Sequence, residues 1–152
     1  MKKGRITTNQ LRELVRLYNG LNFVKFELTC KQYGIDRLNM FNLLCVMRSF
    51  KIDAAKYGID VDDLKCIDIN FLYEGVSMGD EPVVKRLVKK YKITVCKLHE
   101  IYAKWYLTGF EMTRLVDDEP GKADLFGKGE WFDELCSVIG KDKVDEIFEF
   151  NE

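Results

Sequence analysis

The stretch KQYGIDRLNMF (residues 31–41) contains a tetrapeptide, YGID, that recurs in AKYGIDVDDLK (residues 55–65). A third copy, YKIT in KKYKITVCKLH (residues 89–99), has Lys92 in place of the glycine. Tyrosine can close one helix, glycine adopts the left-handed conformation that ends it, and aspartate or threonine caps the next helix. The tetrapeptide therefore predicts a turn between two helices, which favours an all-α fold.

The repeats belong to a longer pattern. LVRLYNGLNF (residues 14–23) resembles NFLYEGVSM (residues 70–78) at an offset of 55, and the first and third turn copies are 58 residues apart. This spacing predicts a duplicated three-helix unit. We expect a first unit at residues 1–58, a second at residues 59–116, and an acidic C-terminal helical segment at residues 117–152.

Local signals place the helices within each unit. Thr7 and Gln10 have the spacing of a capping box, and Pro82 suits the first turn of a helix. Only a short helix is expected to precede the central copy of the turn, at Gly58. The expected helices in the first unit are Thr7 to Gly20, Phe23 to Tyr33 and Asp36 to about Phe50. Those expected in the second unit are Asp62 or Asp63 to Gly75, Glu81 to Tyr91 and Thr94 to about Leu107.

The composition is that of a packed intracellular protein. The 152 residues are 47% apolar and 12% aromatic, with two prolines, which favours a helical globule over disorder. No apolar run approaches the roughly 18 residues of a membrane span. The five cysteines are odd in number and lie singly, so we expect a reducing cytoplasm rather than disulfides.

Charge is segregated along the chain although the net charge is −1. Residues 1–50 and 83–116 each carry +6, whereas residues 51–82 carry −5 and residues 117–152 carry −8. Segregation of this kind can build a positive face on a nearly neutral protein.

Apolar spacing around the turns points to a known class of domain. The first turn has Cys30 four residues before its glycine and Met40 and Leu43 six and nine residues after it; Val88, Leu98 and Ile101 occupy these offsets in the second unit. Residues 7–107 thus resemble helix-turn-helix DNA-binding domains, such as those of transposases, phage regulators and small repressors. The resemblance implies a non-enzymatic DNA-binding protein, a possible homodimer, that regulates transcription or phage or mobile-element DNA.

The resemblance also implies which residues meet DNA, because the second helix of the motif enters the major groove. The central turn copy carries Asp60, Asp62 and Asp63, which repel phosphate, so its role is expected to be structural. Phosphate contacts are expected from Lys85, Arg86, Lys89, Lys90, Lys92 and Lys97, and base contacts from His99, Arg37 and Asn42. The N-terminal Lys2, Lys3 and Arg5 could form a minor-groove arm or a solubilising tail.

Catalysis is not expected. His99 is the only histidine and lacks a partner at the spacing of a zinc site or a catalytic triad, and there is no phosphate-binding loop. We therefore expect no catalytic residue, no metal and no cofactor. The alternative function is a protein-binding adaptor or inhibitor of the phage type, which targets host machinery through the apolar third helix of the first unit or through the acidic tail.

Overall fold

A computed structural model of the chain describes residues 5–116. The predicted acidic segment, and Lys2 and Lys3 of the predicted arm, lie outside this range. The described part contains these elements: α1 (Thr8–Asn19), α2 (Phe23–Tyr33), α3 (Arg37–Tyr57), α4 (Val61–Lys65), α5 (Asn70–Glu74), a 3-10 turn (Gly75–Met78), α6 (Pro82–Tyr91) and α7 (Val95–Leu115). It has no β-strand, only an isolated bridge between Ile6 and Val116. The all-α prediction is confirmed for residues 5–116.

All three copies of the repeated tetrapeptide form the same turn. Its second residue is left-handed each time, with φ of 73° at Gly34, 68° at Gly58 and 56° at Lys92. The following isoleucine N–H donates to a carbonyl five residues earlier, as in a Schellman motif; these bonds are Ile35 to Cys30 at 3.0 Å, Ile59 to Ala54 at 2.9 Å and Ile93 to Val88 at 3.2 Å. The side chains of Asp36, Asp60 and Thr94 then cap the next helix. The predicted helix-to-helix turn is confirmed.

Helix α1 begins as predicted but ends differently. The Thr7 hydroxyl accepts from the Gln10 N–H at 3.2 Å, and the Gln10 side chain accepts from the Thr7 N–H at 2.9 Å, which completes the capping box. Gly20 follows the helix but has a φ of −80°, an ordinary right-handed value. The left-handed residue is instead Leu21, with a φ of 57°.

Two helices are longer than the sequence predicted. Helix α3 continues to Tyr57 rather than Phe50, so the expectation of only a short helix before Gly58 was wrong. No glycine or proline interrupts the chain between Phe50 and Gly58, and both Ala54 and Ala55 favour helix. Helix α7 likewise extends past Leu107 to Leu115. Each helix therefore has 21 residues.

The first helix of the second unit was also predicted wrongly, because it is broken into α4, α5 and the 3-10 turn. The break lies at Asp68, whose carboxylate accepts from the Asn70 N–H at 2.8 Å. Such a local bond competes with continued helical hydrogen bonding. The N–H groups of Cys66 and Ile67 reach back only three residues, to Asp63 and Leu64.

Helices α3 and α7 pack against each other in antiparallel orientation and form the centre of the fold. Lys97 near the start of α7 lies 3.3 Å from Asp53 near the end of α3 (Nζ to Oδ2). Further along, Lys104 Nζ donates to Ser49 Oγ at 2.6 Å. Helix α2 enters α3 at one end of this pair, and α6 enters α7 at the opposite end.

The two halves of the fold have matching layouts. Residues 37 and 57 bound α3, and residues 95 and 115, each 58 further on, bound α7. Buried positions follow the same offset: Met40, Leu44, Met47 and Phe50 of α3 correspond to Leu98, Tyr102, Trp105 and Thr108 of α7. In the preceding helices, buried Phe26 and Thr29 correspond to buried Val84 and Leu87.

Candidate nucleic-acid interface

Helix α6 has one buried face and one charged face. It begins where the Glu81 carboxylate accepts from the Val84 N–H at 3.1 Å, and Pro82 occupies its first turn. Val84 and Leu87 are fully buried. The cations stand three or four residues apart, so they share the outer side of the helix and its C-terminal turn. We call Lys85, Arg86, Lys89, Lys90 and Lys92, all exposed, the α6 basic surface.

Most of these cations are available to a ligand. Lys85, Arg86, Lys89 and Lys92 make no ion pair with any residue in the 5–116 range. The Asp63 carboxylate lies at the edge of the surface beside Lys90, and the positive charge of Arg86 contributes to lowering its pKa. The structure thus brings four positive charges that form no ion pair together within about two helical turns.

Lys90 is the member that is already paired. Its Nζ lies 2.7 Å from Oδ2 of Asp63 on α4, and the Tyr91 hydroxyl donates to the same oxygen. The bond to Asp63 raises the pKa of Lys90, and the bonds from Lys90 and Tyr91 lower the pKa of Asp63. Burial is the main cause that raises the pKa of Tyr91. This cluster fastens the end of α6 to α4.

Lys97 was predicted to contact phosphate, and the structure places its side chain between helices. Its Nζ lies 3.3 Å from Asp53 Oδ2 and 3.3 Å from Glu100 Oε2. The side chain is only 28% exposed. Lys104 joins the same group, 3.6 Å from Asp53 Oδ2 and 2.8 Å from Glu100 Oε1. Lys97 therefore links α7 to α3 and is not part of the α6 basic surface.

His99 also faces the interior of the fold. Its Nε2 lies 3.1 Å from the Leu72 carbonyl oxygen, and its ring packs edge-on against Phe71 with centroids 5.3 Å apart. A Cβ atom on Gly75 would lie 3.7 Å from the ring. The predicted base-reading histidine thus packs on α5 and the 3-10 turn. The exposed side chain at the start of α7 is Cys96.

Arg37 and Asn42 lie at the other end of the molecule. Both are exposed, and Arg37 Nε is 3.8 Å from Oε1 of Glu27. Asn42 lines a groove beside Glu111 of α7, and Glu111 is 16 residues beyond Val95, where α7 begins. At 1.5 Å per residue this separation is about 24 Å along the helix. The structure does not bring these two residues together with the α6 basic surface.

Helix α2 presents an apolar face that sequence reasoning missed. Leu21 is 73% exposed, Val24 76% and Leu28 62%. We call these three residues the α2 apolar surface. The signal was present in the sequence, because Val24 and Leu28 are four residues apart and lie opposite the buried Phe26 and Thr29. Helix α2 is therefore apolar on an exposed side as well as on its buried one.

A groove of about 740 Å³ runs between the first half of α3 and the second half of α7. Its walls include the exposed side chains of Val46 and Leu107, and its polar lining includes Asn39, Asp36 and Arg114. Helix α3, where the sequence predicted a protein contact, buries Met40, Leu44, Met47 and Phe50 in the core. Its exposed apolar side chains are Val46, in this groove, and Leu38, which is 59% exposed.

Other chemistry finds little support in the described range. No three His, Cys, Asp or Glu side chains within residues 5–116 are grouped as metal ligands. Burial raises the pKa of Cys30 to about 11, which keeps its thiol protonated. Among the helices of residues 5–116, none combines the length and apolar character needed to cross a bilayer.

Comparisons with known proteins give no relative. No protein-family model matches the chain, and neither a curated protein nor a solved structure shows significant similarity to it. The functional assignment therefore rests on the chemistry of the surfaces described above.

Proposed function

We propose that this protein is a non-enzymatic DNA-binding protein that contacts the phosphate backbone through the α6 basic surface. The observation that carries the proposal is the set of four exposed, unpaired cations on α6 and its C-terminal turn, Lys85, Arg86, Lys89 and Lys92. A tandem helix-turn-helix arrangement is supported by the matching turns and by buried positions that repeat at 58 residues. A small regulator of transcription, or of phage or mobile-element DNA, is the role that fits this arrangement.

In this proposal, contacts with the phosphate backbone outweigh contacts with bases. Phosphate contacts set orientation, whereas specificity needs side chains that reach base edges. Lys97 and His99 are engaged within the fold. The exposed Glu100 is held by Lys97 and Lys104, and the exposed Cys96 is not a typical base reader. We therefore expect strong dependence on salt and weak discrimination between DNA sequences.

The number of free cations sets the expected salt dependence. Four phosphate contacts predict that log K falls by about 3.6 per decade of salt on duplex DNA. Affinity should then drop roughly 10²-fold between about 50 and 200 mM salt. A mobility-shift or anisotropy titration at several salt concentrations measures this slope, and the absence of DNA binding at low salt would refute the proposal.

A matched pair of variants tests the location. Arg86→Glu with Lys89→Glu reverses two charges on the α6 basic surface and should abolish binding. Lys31→Glu is the control, because Lys31 is an exposed lysine on α2 at the position equivalent to Lys89, 58 residues earlier. Thermal unfolding should be similar for all variants, since these side chains are exposed. If Lys31→Glu reduces DNA binding as much as the α6 variant does, the interface is not confined to α6.

Protein binding is the second candidate function, and the groove between α3 and α7 favours it. A groove between two antiparallel helices with exposed Val46 and Leu107 on its walls suits an amphipathic helix of a partner. A stoichiometric partner recovered from host extract after nuclease treatment should be lost with Val46→Glu. Val76→Glu is the control, because Val76 is an exposed valine on the 3-10 turn, outside the groove.

A further inference from the structure

We propose that the groove between α3 and α7 binds a free linear aliphatic amine, whose ammonium group pairs with Glu111 of α7. This site goes beyond the proposed DNA binding and does not depend on it. The groove lies between the start of α3 and the end of α7, whereas α6 enters α7 at its start. Because α3 and α7 are antiparallel and their positions repeat at 58 residues, one half of the pair can be compared directly with the other.

One half of the pair is bridged by two lysines of α7. Lys97 Nζ lies 3.3 Å and Lys104 Nζ 3.6 Å from Oδ2 of Asp53 on α3. Lys104 Nζ also donates to Ser49 Oγ at 2.6 Å. Both lysine side chains are partly buried, since a lysine can lay its methylene chain on apolar surface while its ammonium group meets a carboxylate. We call this half, with Lys97, Lys104, Ser49 and Asp53, the bridged half of the pair.

The groove is the other half of the pair, and it lacks these lysines. The two lysine positions, counted back 58 residues, are Asn39 and Val46, which are shorter and carry no charge. The carboxylate position is kept, because Glu111 stands 58 residues after Asp53. Asn39, Val46 and Glu111 all line the groove. The acceptor is therefore retained in this half, while the ammonium groups that would meet it are missing.

Glu111 can accept a cation from outside the chain. It is exposed, and it forms no ion pair with any residue between positions 5 and 116. The groove's other charged residues are Asp36 and Arg114, so its carboxylates outnumber its cations by two to one. The Arg114 guanidinium lies over the Phe110 ring, 5.7 Å from the centroid. Lys56, its equivalent in the bridged half, also lies over an aromatic ring, and that half still holds two lysines.

The walls of the groove select an ammonium group that carries an aliphatic chain. Val46 is 36% exposed and Leu107 52% exposed, and a linear chain about as long as a lysine side chain can lie along them. Asn39 and Asn42 add side-chain carbonyl oxygens that can accept further hydrogen bonds from the ammonium group. The volume of about 740 Å³ is within the range of small-molecule sites. A small inorganic cation would leave the apolar walls uncovered, and a neutral ligand would leave Glu111 without a counter-charge.

Pentylamine is a suitable probe, because it joins one ammonium group to a chain about as long as a lysine side chain. Methyl NMR of the full chain without DNA, at constant ionic strength and neutral pH, follows Val46 and Leu107 directly. Their shifts should saturate with a dissociation constant on the order of 10 mM, as for a ligand of so few atoms. Pentanol, which lacks the charge, should bind about fivefold more weakly. Ammonium chloride, which lacks the chain, should show no saturation below about 50 mM.

Two variants with matched controls locate the site. Glu111→Gln should weaken pentylamine binding about fivefold and leave pentanol binding unchanged, because only the ion pair is removed. Glu74→Gln should change neither, since Glu74 is an exposed glutamate on α5, outside the groove. Val46→Lys places a lysine at the position equivalent to Lys104 and should abolish saturable binding. Val76→Lys is its control, because Val76 is an exposed valine on the 3-10 turn.

Saturable binding of pentylamine that both groove variants reduce and both controls leave unchanged establishes the amine site. No saturable shift up to about 50 mM pentylamine overturns it and leaves the groove to a protein partner. An equal effect of Glu111→Gln and Glu74→Gln, or equal binding of pentanol and pentylamine, overturns the pairing with Glu111. Methyl shifts that follow protein concentration instead of amine would assign the groove to a second copy of the chain and overturn the proposal. Near-native thermal unfolding of each variant shows that lost binding is not lost folding.

Discussion

The Nζ atom of Lys90 on α6 lies 2.7 Å from Oδ2 of Asp63 on α4, and this contact joins the two helices. The bonds from Lys90 and Tyr91 lower the pKa of Asp63 in the folded protein. A lowered folded-state pKa adds stability above the unfolded value, which is about 3.9 for aspartate. That stability is lost as pH falls through the folded-state pKa.

Asp63→Asn should therefore lower the free energy of unfolding by about 1 kcal/mol near neutral pH. As pH falls through the lowered pKa of Asp63, the difference from wild type should shrink, because the wild-type carboxyl becomes protonated as well. Urea unfolding between pH 2.5 and 7 measures both effects. Asp62→Asn is the control, since the Asp62 side chain is 82% exposed and its ion pair is weakly stabilising. A difference independent of pH would contradict the assignment.

Lys97→Ala should reduce stability rather than DNA binding. The change leaves the half-buried Asp53 with Lys104 as its remaining partner, so we expect a loss of about 1–2 kcal/mol. The salt slope of DNA binding should stay as in wild type. Lys89→Ala should leave the stability unchanged and reduce the salt slope of DNA binding by about one. A reduced slope with Lys97→Ala would place Lys97 at the interface despite its bonds to α3.

Lys92→Gly should stabilise the fold and weaken its proposed function. Relief of the left-handed strain at Lys92 outweighs the extra entropy of an unfolded glycine, so the free energy of unfolding should rise by about 0.5–1 kcal/mol. One phosphate contact is lost at the same time. Gly34→Ala is the counterpart: no atom lies within 4 Å of the added Cβ, yet the φ of 73° should make it destabilising by about 1 kcal/mol.

Leu21→Gly should raise the free energy of unfolding. The physical reason is again relief of left-handed strain, here at a φ of 57°, worth about 0.5–1 kcal/mol. Urea unfolding of both chains measures the difference. A lowered free energy of unfolding would show that the Leu21 side chain packs within its own chain.

Local sequence signals predicted the turns and helix starts, because those features depend on a few neighbouring residues. Gly34 and Asp36 form one turn, and the capping box at Thr7 needs only Gln10. Helix ends were less predictable, since α3 continues until Gly58 offers a left-handed residue. The break at Asp68 arises from a single side chain that competes with helical bonding.

The direction of charged side chains was not predictable from local sequence. Lys97 and His99 occupy the expected place at the start of α7, but their partners, Asp53 and Leu72, are 44 and 27 residues away. The chain's spacing identified Lys85, Arg86, Lys89 and Lys92 as exposed cations on a common helix and turn, and the structure places them there. Long-range packing thus left the α6 cations exposed and placed Lys97 and His99 in contacts within the fold.

The antiparallel packing of α3 on α7 also keeps the two ends of the molecule apart. Each helix has 21 residues, so the pair is about 30 Å long and holds α2 and α6 at opposite ends. This length is about three Debye lengths at 0.1 M salt, so a charge placed on α2 is screened from any ligand at the α6 basic surface.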